Sequence, residues 1–538
     1  LDSFTNDNFW TGEGNISGYA NAFYEQFSGY GNGNGYGDFY FKTLSDDQAG
    51  MSFAKWTYPD NAPSTSATWK NGWIEVRRAN IMLENVPTVA SLDEATKNHW
   101  LGVARLMRAW QYYHLVRMYG NLPWIDKALN INDEGEIYGN REDRDMVMDK
   151  VLEDLDFAVT NIKDISSKTT WSRSLANAMK AEVCLYEGTF RKYRKNEDGQ
   201  QAPDATGAAR YLTACKEACL AVMSKGYKLN TSYQGNYNST DLSSNPEMIL
   251  YKAYKEGLLM HSTIDYTCSS TQISGMSKNA FESYLFKDGK PMALTSLNKS
   301  DEAPFQYGHL SLKDILAVRD KRLAQTIDTV LLYNGRGFTR FNTGMESTSS
   351  TGYGVAKYDN EAIPEGFRSQ SGKNYTHAPL FWLSVIYLNY AEACAELGNI
   401  TQDDLDKSIN LLKDRAGFPH LNPSVGFSDP ANNHGVSDLI WEIRRERRCE
   451  LMFDNDNRYW DLIRWHQLDK LDTTKYPDII LGANVANDMD GCEANKVGKY
   501  IDGSKDGSRI YDKKHYLYPI PTGQIALNPQ LAPNNPGW

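Results

Sequence analysis

Residues 443–465, IRRERRCELMFDNDNRYWDLIRW, hold the densest set of groups able to do chemistry. Glu446 and Glu450 have the look of an acid–base pair, with Arg447, Arg458, Asp461 and Arg464 close behind. Cleaving a glycosidic bond takes two carboxylates on opposite sides of the scissile atom. Side chains four apart on a helix stand about 6 Å apart on one wall, so Glu446 and Glu450 cannot flank a sugar from both sides. Glu442, Glu446 and Glu450 stack like charges at four-residue spacing, an arrangement that repels by about 0.2–0.5 kcal/mol per pair and needs partners. The stripe Ile440, Ile443, Arg447, Leu451 sets an arginine among core positions. The spacing therefore predicts scaffold: a paired network at a helix junction. In it Arg447 sits three before Glu450, neighbouring helices supply further basic or polar groups, and Asp461 and Arg464 extend it beside Trp460 and Trp465.

Other chemistries fail on spacing. Asp502, Ser504, Asp506 and Gly507 imitate the start of a calcium loop, but position twelve is Lys513 where a bidentate Glu is needed. The nine His are dispersed, with no H-E-x-x-H, and no G-x-S-x-G occurs. Cys215 and Cys219 share a helix face with no His nearby to complete a zinc set. Seven scattered Cys, odd in number, argue for buried thiols over a disulfide framework. The glycine run at 29–41, GYGNGNGYGDFYF, invites a phosphate cradle, yet G-x-G-x-x-G fails at Tyr36 and no strand precedes it. No cofactor is expected.

The elements that must position these groups are mostly helical. In residues 102–119, Val103, Leu106, Met107, Trp110, Tyr113, His114 and Val116 fall at three- and four-residue spacing, and Gly120 and Pro123 stop the helix. Residues 143–159 repeat that logic. AEVCLYEG at 181–188 is echoed by AEACAELG at 391–398, each followed by a second helix, from Ala208 and from Asp403. Ala at close-approach positions and Gly to release the turn are how tetratricopeptide-type helix pairs are built. The expectation is one mostly α domain over 1–538. Its helical-repeat scaffold covers 72–228 and 380–470, its irregular, loop-rich ligand-binding part 29–71 and 230–376, and a closing segment 471–538.

Composition narrows the partner. The 538 residues carry 57 basic and 68 acidic side chains, net −11, which makes nucleic acid a poor partner. No stretch of about 18 apolar residues occurs. Leu1 stands where an initiator Met would, without a leader behind it, so the chain is expected to be soluble as given and to lack its natural start. Thirteen Trp, 33 Tyr and 19 Phe supply flat contact faces, which suit a sugar ring.

The 444–465 segment resembles the C-terminal signature of the SusD-like (RagB/SusD) family, an R-R-E-R-x-x-E-L core followed by R-[FY]-W-D-L-x-R-W. YLYPIPTGQIALNPQLAPNNPGW at 516–538 is similar to the family's terminal P-I-P and N-P-x-L followed by N-P-G. FTNDNFW near the start, YGNLPWID at Tyr119 and YLNYAEACAELGN at Tyr387 fit as well. DNDNR departs from the pattern where many members have a Glu before the Arg, with Asp454 or Asp456 as the substitute. The resemblance implies an outward-facing bacterial outer-membrane lipoprotein whose lipid-bearing Cys precedes Leu1. It implies tetratricopeptide-like helix pairs, glycan binding without cleavage, and a place as lid on a TonB-dependent, SusC-like transporter.

Binding is expected on the 46–71 loop. Trp56 and Tyr58, set among polar and Pro-containing stretches, are the platform candidates. Asp46 and Asp47 would accept hydrogen bonds from sugar hydroxyls or cap the next turn. Trp69, Phe305, Tyr307 and Tyr353 are further aromatic candidates. The rival readings are an all-helical glycoside hydrolase or lyase and a repeat scaffold that binds only protein.

Overall fold

The computed structural model describes residues 6–40, 45–50, 59–268, 274–297, 312–332, 341, 347–455, 457–486, 495–504 and 507–538. Contacts gather them into two compact units, Leu1–Phe27 with Tyr58–Lys225 and Asp512–Trp538, and Ser28–Thr57 with Gly226–Tyr511. The 380–470 helices thus share a unit with the loop-rich 230–376, and the last 27 residues pack in the other unit.

Five long helices build the first unit: α1 (Ala67–Asn85), α2 (Glu94–Tyr119), α3 (Arg144–Asn161), α4 (Arg173–Tyr193) and α5 (Ala205–Met223). Each begins on a side-chain cap, from Ser66, Asp93, Asp143, Ser172 and Asp204 in turn. Such a cap satisfies an orphan amide and contributes about 0.5–2 kcal/mol. Asp93 explains why α2 starts well ahead of the apolar stripe seen from Gly102 onward. Its end at Gly120, with φ 72, follows the sequence signal. Consecutive helices pack in pairs, α1 on α2, α3 on α2 and α5 on α4. The C-terminal segment closes over the end of α2 through the Tyr518 amide on the Met118 carbonyl (2.7 Å) and Asn535 Nδ2 on the Tyr119 carbonyl (2.9 Å).

The two echoed glycines do different work. Gly188 lies inside α4, not at its end, and a Cβ there would stand 2.7 Å from Leu212 Cγ of α5. Gly398, at φ 81, does release a turn. The helix expected to run from Asp403 is broken into Gln402–Asp406 and Ile409–Ala416.

In the second unit the 443–465 segment forms most of α10 (Asp438–Glu450) and all of α11 (Asn457–Arg464), with α6 (Lys278–Ser283), α7 (Lys321–Thr326), α8 (Leu383–Glu396) and α9 (Ile409–Ala416) around it. Short antiparallel pairings tie its loops together: Gln48–Gly50 with Ser274–Met276, and Met248–Lys252 with Ala378–Trp382. Leu481–Asn484, Tyr500–Asp502 and Lys496–Val497 form a small sheet. Asp502, first residue of the calcium-like motif, ends a strand there, and its Oδ1 accepts from the Ser504 amide at 3.0 Å. Among the described residues, six cysteines are buried free thiols, and no helix is long and apolar enough to cross a membrane.

Candidate functional site

At roughly 100° per residue, α10 sorts its side chains into three rows. One carries Glu442, Glu446 and Glu450, a second Ile443 and Arg447, and the third Trp441, Arg444, Arg445 and Arg448. The first two are scaffold, and the third borders a cavity.

Arg322 of α7 is the hub of the scaffold. Its Nη1 lies 2.6 Å from both Glu446 Oε1 and Glu450 Oε2, and its Nη2 lies 2.7 Å from Asp320 Oδ2. From α9, Lys413 adds a bond to Glu446 (3.3 Å) and Arg415 pairs with Glu450. Arg447 does not serve Glu450, against the sequence expectation. Its guanidinium points to Asp461 of α11 (2.8 Å) and to Asn389 of α8 (2.8 Å). Arg464 spans Asp461 (2.9 Å) and Glu392 (2.9 Å), and Arg458 holds Asp46 with two bonds of 2.7 and 2.8 Å. Burial pushes the carboxyl of Glu446 up, but Arg322 and Lys413 outweigh it and hold it at about 2. Glu392 is held at about 2 in the same way, Arg464 being its main cation.

The third row forms one wall of a cavity of about 330 Å³. Asp46, α6, Arg458, Lys470, Tyr476 and Asp478 complete much of the remainder. Trp441 and Tyr476 are half-buried and line the space. The wall is rich in fixed hydrogen-bonding groups. Trp441 Nε1 donates to Asp429 (3.0 Å), Arg448 to Asp47 (2.8 Å) and Asn279 (2.9 Å), Asn279 to Asp478 (3.0 Å), and Asn433 to the Tyr476 hydroxyl (3.1 Å). Glu282 is paired with Lys278 at 2.6 Å, yet burial still leaves its carboxyl raised. Asp46 is pushed up by burial but held well below the usual carboxylate range by Arg448 and Arg458.

Several sequence candidates stand elsewhere. Trp56, Tyr58, Phe305 and Tyr307 lie outside the described residues. Asp46 and Asp47 are buried, engaged by Arg458 and Arg448, and lead into the strand Gln48–Gly50 instead of capping a turn. Trp69 sits within α1, its ring edge-on to Trp73 and Tyr119 at 5.6 and 5.0 Å, and is 6% exposed. Tyr353 is fully buried, stacked on Phe281 at 4.3 Å. Neither ring has a face left for a ligand. Trp441, Lys470 and Tyr476 were not singled out from sequence. The 441, 444, 445, 448 spacing was the available signal, because it places one tryptophan and three arginines on a single helix face.

Two sequence families match the chain. One, described as "SusD family", covers residues 221–538, and another, described as "Starch-binding associating with outer membrane", covers residues 5–185. SusD-like protein P2 of Formosa agariphila is 23% identical over 90% of this chain and 82% of its own length. A SusD-like protein of Bacteroides ovatus is 24% identical over 78% of this chain and 71% of its own. Among solved structures, a SusD-like carbohydrate binding protein from Bacteroides fragilis superposes with TM-score 0.70 at 19% identity, covering 97% of this chain and 100% of that one. A laminarin binding SusD-like protein gives TM-score 0.60 at 19% identity, with 98% and 100% covered. These structures share the tetratricopeptide-like helical fold. With the family match extending over more than half of its residues, from residue 221 through α10 to the last residue, the chain belongs to the SusD family.

Proposed function

We propose that this protein captures an oligosaccharide or polysaccharide at the outer face of the outer membrane, without cleaving it, and hands it to a SusC-like TonB-dependent transporter. Family membership supports this, as do a matching family described as starch-binding and solved structures named for carbohydrate and laminarin binding. A lipid anchor on the N-terminal side is part of the same reading. The carrying observation is the cavity beside α10, where half-buried Trp441 and Tyr476 meet a dense set of fixed hydrogen-bonding groups. Sugars present apolar ring faces and hydroxyl edges, and that pairing of surfaces suits them. Trp56, Tyr58, Phe305 and Tyr307 are proposed to extend the contact.

Titration calorimetry with a panel of oligosaccharides tests the reading. Trp441→Ala, which removes a ring face worth about 1–2 kcal/mol, should weaken the best ligand by about tenfold. Unchanged affinity in a folded variant would move the site away from α10. One observation favours a rival: burial shifts the Glu282 carboxyl upward, the direction a general acid needs, although its ion pair with Lys278 works against that shift. Were a shorter product to form with wild type and vanish with Glu282→Gln, the hydrolase reading would replace capture.

A further inference from the structure

The cavity wall is not charge-balanced residue by residue. Four of its cations have carboxylate partners: Arg445 with Glu442 (2.9 Å), Arg448 with Asp47 (2.8 Å), Arg458 with Asp46 (2.7 Å), and Arg444 with Glu396 at 3.5 Å. Lys470 differs. Among the described residues its Nζ makes no ion pair or hydrogen bond and lies 4.5 Å from the centre of the Trp441 ring. Other enclosed lysines of this unit are paired: Lys278 with Glu282 (2.6 Å), Lys357 with Asp454 (2.9 Å), Lys413 with Glu446 (3.3 Å). An aromatic face offsets only part of the cost of enclosing an ammonium. Lys470 is thus held toward a cavity with no carboxylate among the described residues within ion-pair distance, and Asp46 and Asp469 act on it from farther away.

Resting on the capture reading above, we infer that the ligand is an acidic saccharide, whose carboxylate or sulfate is taken by the Lys470 ammonium while the sugar rings use Trp441 and Tyr476. The cavity's other carboxylates are engaged within the wall, Glu282 by Lys278, Asp429 by Arg445 and Trp441, and Asp478 by Asn279. Enclosure pushes Lys470 down to about 7, Arg458, Arg448 and Arg444 push the same way, and Asp46 opposes them. The neighbouring Asp469 is engaged by His434 at 3.2 Å and also acts on Lys470 from beyond ion-pair distance. Near neutral pH the empty site is therefore partly deprotonated. A bound anion raises the ammonium's pKa again, so binding takes up a proton and weakens as pH rises through and above 7.

The test compares four ligands by calorimetry on the full chain: a neutral oligosaccharide, a uronic-acid oligosaccharide of equal length, a sulfated one, and inorganic sulfate. One acidic saccharide should bind about tenfold or more tighter than the neutral one. That advantage should shrink between pH 6 and 8.5, with proton uptake visible as a dependence on buffer ionisation heat. Lys470→Met should remove the preference and Lys470→Arg should keep most of it, both checked for native melting. Equal binding of neutral and acidic ligands, insensitive to Lys470→Met, would overturn the acidic assignment and leave capture standing. Sulfate alone binding as tightly as the sulfated sugar would overturn the saccharide part. Binding of none of the saccharides would sink capture itself.

Discussion

Arg322 shows how a single residue carries the scaffold, since one guanidinium nitrogen serves both Glu446 and Glu450 and another serves Asp320. The glutamate ladder was legible in the sequence because like charges at i, i+4 demand partners. The identity of the partner was not, because Arg322 lies more than a hundred residues earlier and no local spacing encodes that approach. Arg322→Met should leave buried carboxylates unpaired and cost about 3–5 kcal/mol in urea unfolding. The affinity of whatever folds should stay at the wild-type value. The same network fixes an acid limit. Glu446 and Glu392 have folded pKa values depressed from 4.5 to about 2, so their contribution is complete above about pH 4.5 and is lost as pH falls toward 2. Each is worth about 3 kcal/mol by that shift. A urea midpoint unchanged between pH 7 and pH 3 would contradict the assignment.

Elements carry a second lesson through the echoed glycines. The motif announced a continuous helix pair correctly at the first site, while at the second the partner is broken into Gln402–Asp406 and Ile409–Ala416, and the reason for glycine differs: Gly188 makes room for Leu212 of the next helix, and Gly398 supplies a left-handed turn residue. Sequence alone could not separate these, since close approach is a property of the packed pair. Gly188→Ala should destabilise by about 1–3 kcal/mol through overpacking, and Leu212→Ala should relieve much of that in the double variant. The loss in Gly398→Ala comes from backbone strain, so no partner truncation should relieve it. Strict additivity of Gly188→Ala with Leu212→Ala would remove the close-approach explanation. The rows of α10 teach the same point from the other side. The Glu row was read from its charge pattern, whereas the Trp441 row reads as an ordinary mixed face until Lys470 and Tyr476 are brought against it.

At the scale of the whole molecule, a SusD-family fold places a buried ion-pair network and a candidate ligand cavity on two sides of one helix. Helix existence and the family signature were legible over most of the chain. The site was not, because its wall is assembled from segments near residues 46, 280, 440 and 470. A surface protein that captures without cleaving can work with modest affinity, since tethering beside a transporter raises the effective local concentration. The measurement that bears most directly on this account is chromatography of the tightest-binding oligosaccharide after prolonged incubation with pure protein. Capture predicts recovery of the ligand at its original length, with saturable binding by calorimetry in the same sample. Shorter products accumulating at even about 1 per second, the low end for enzymes, and lost in Glu282→Gln, would contradict it.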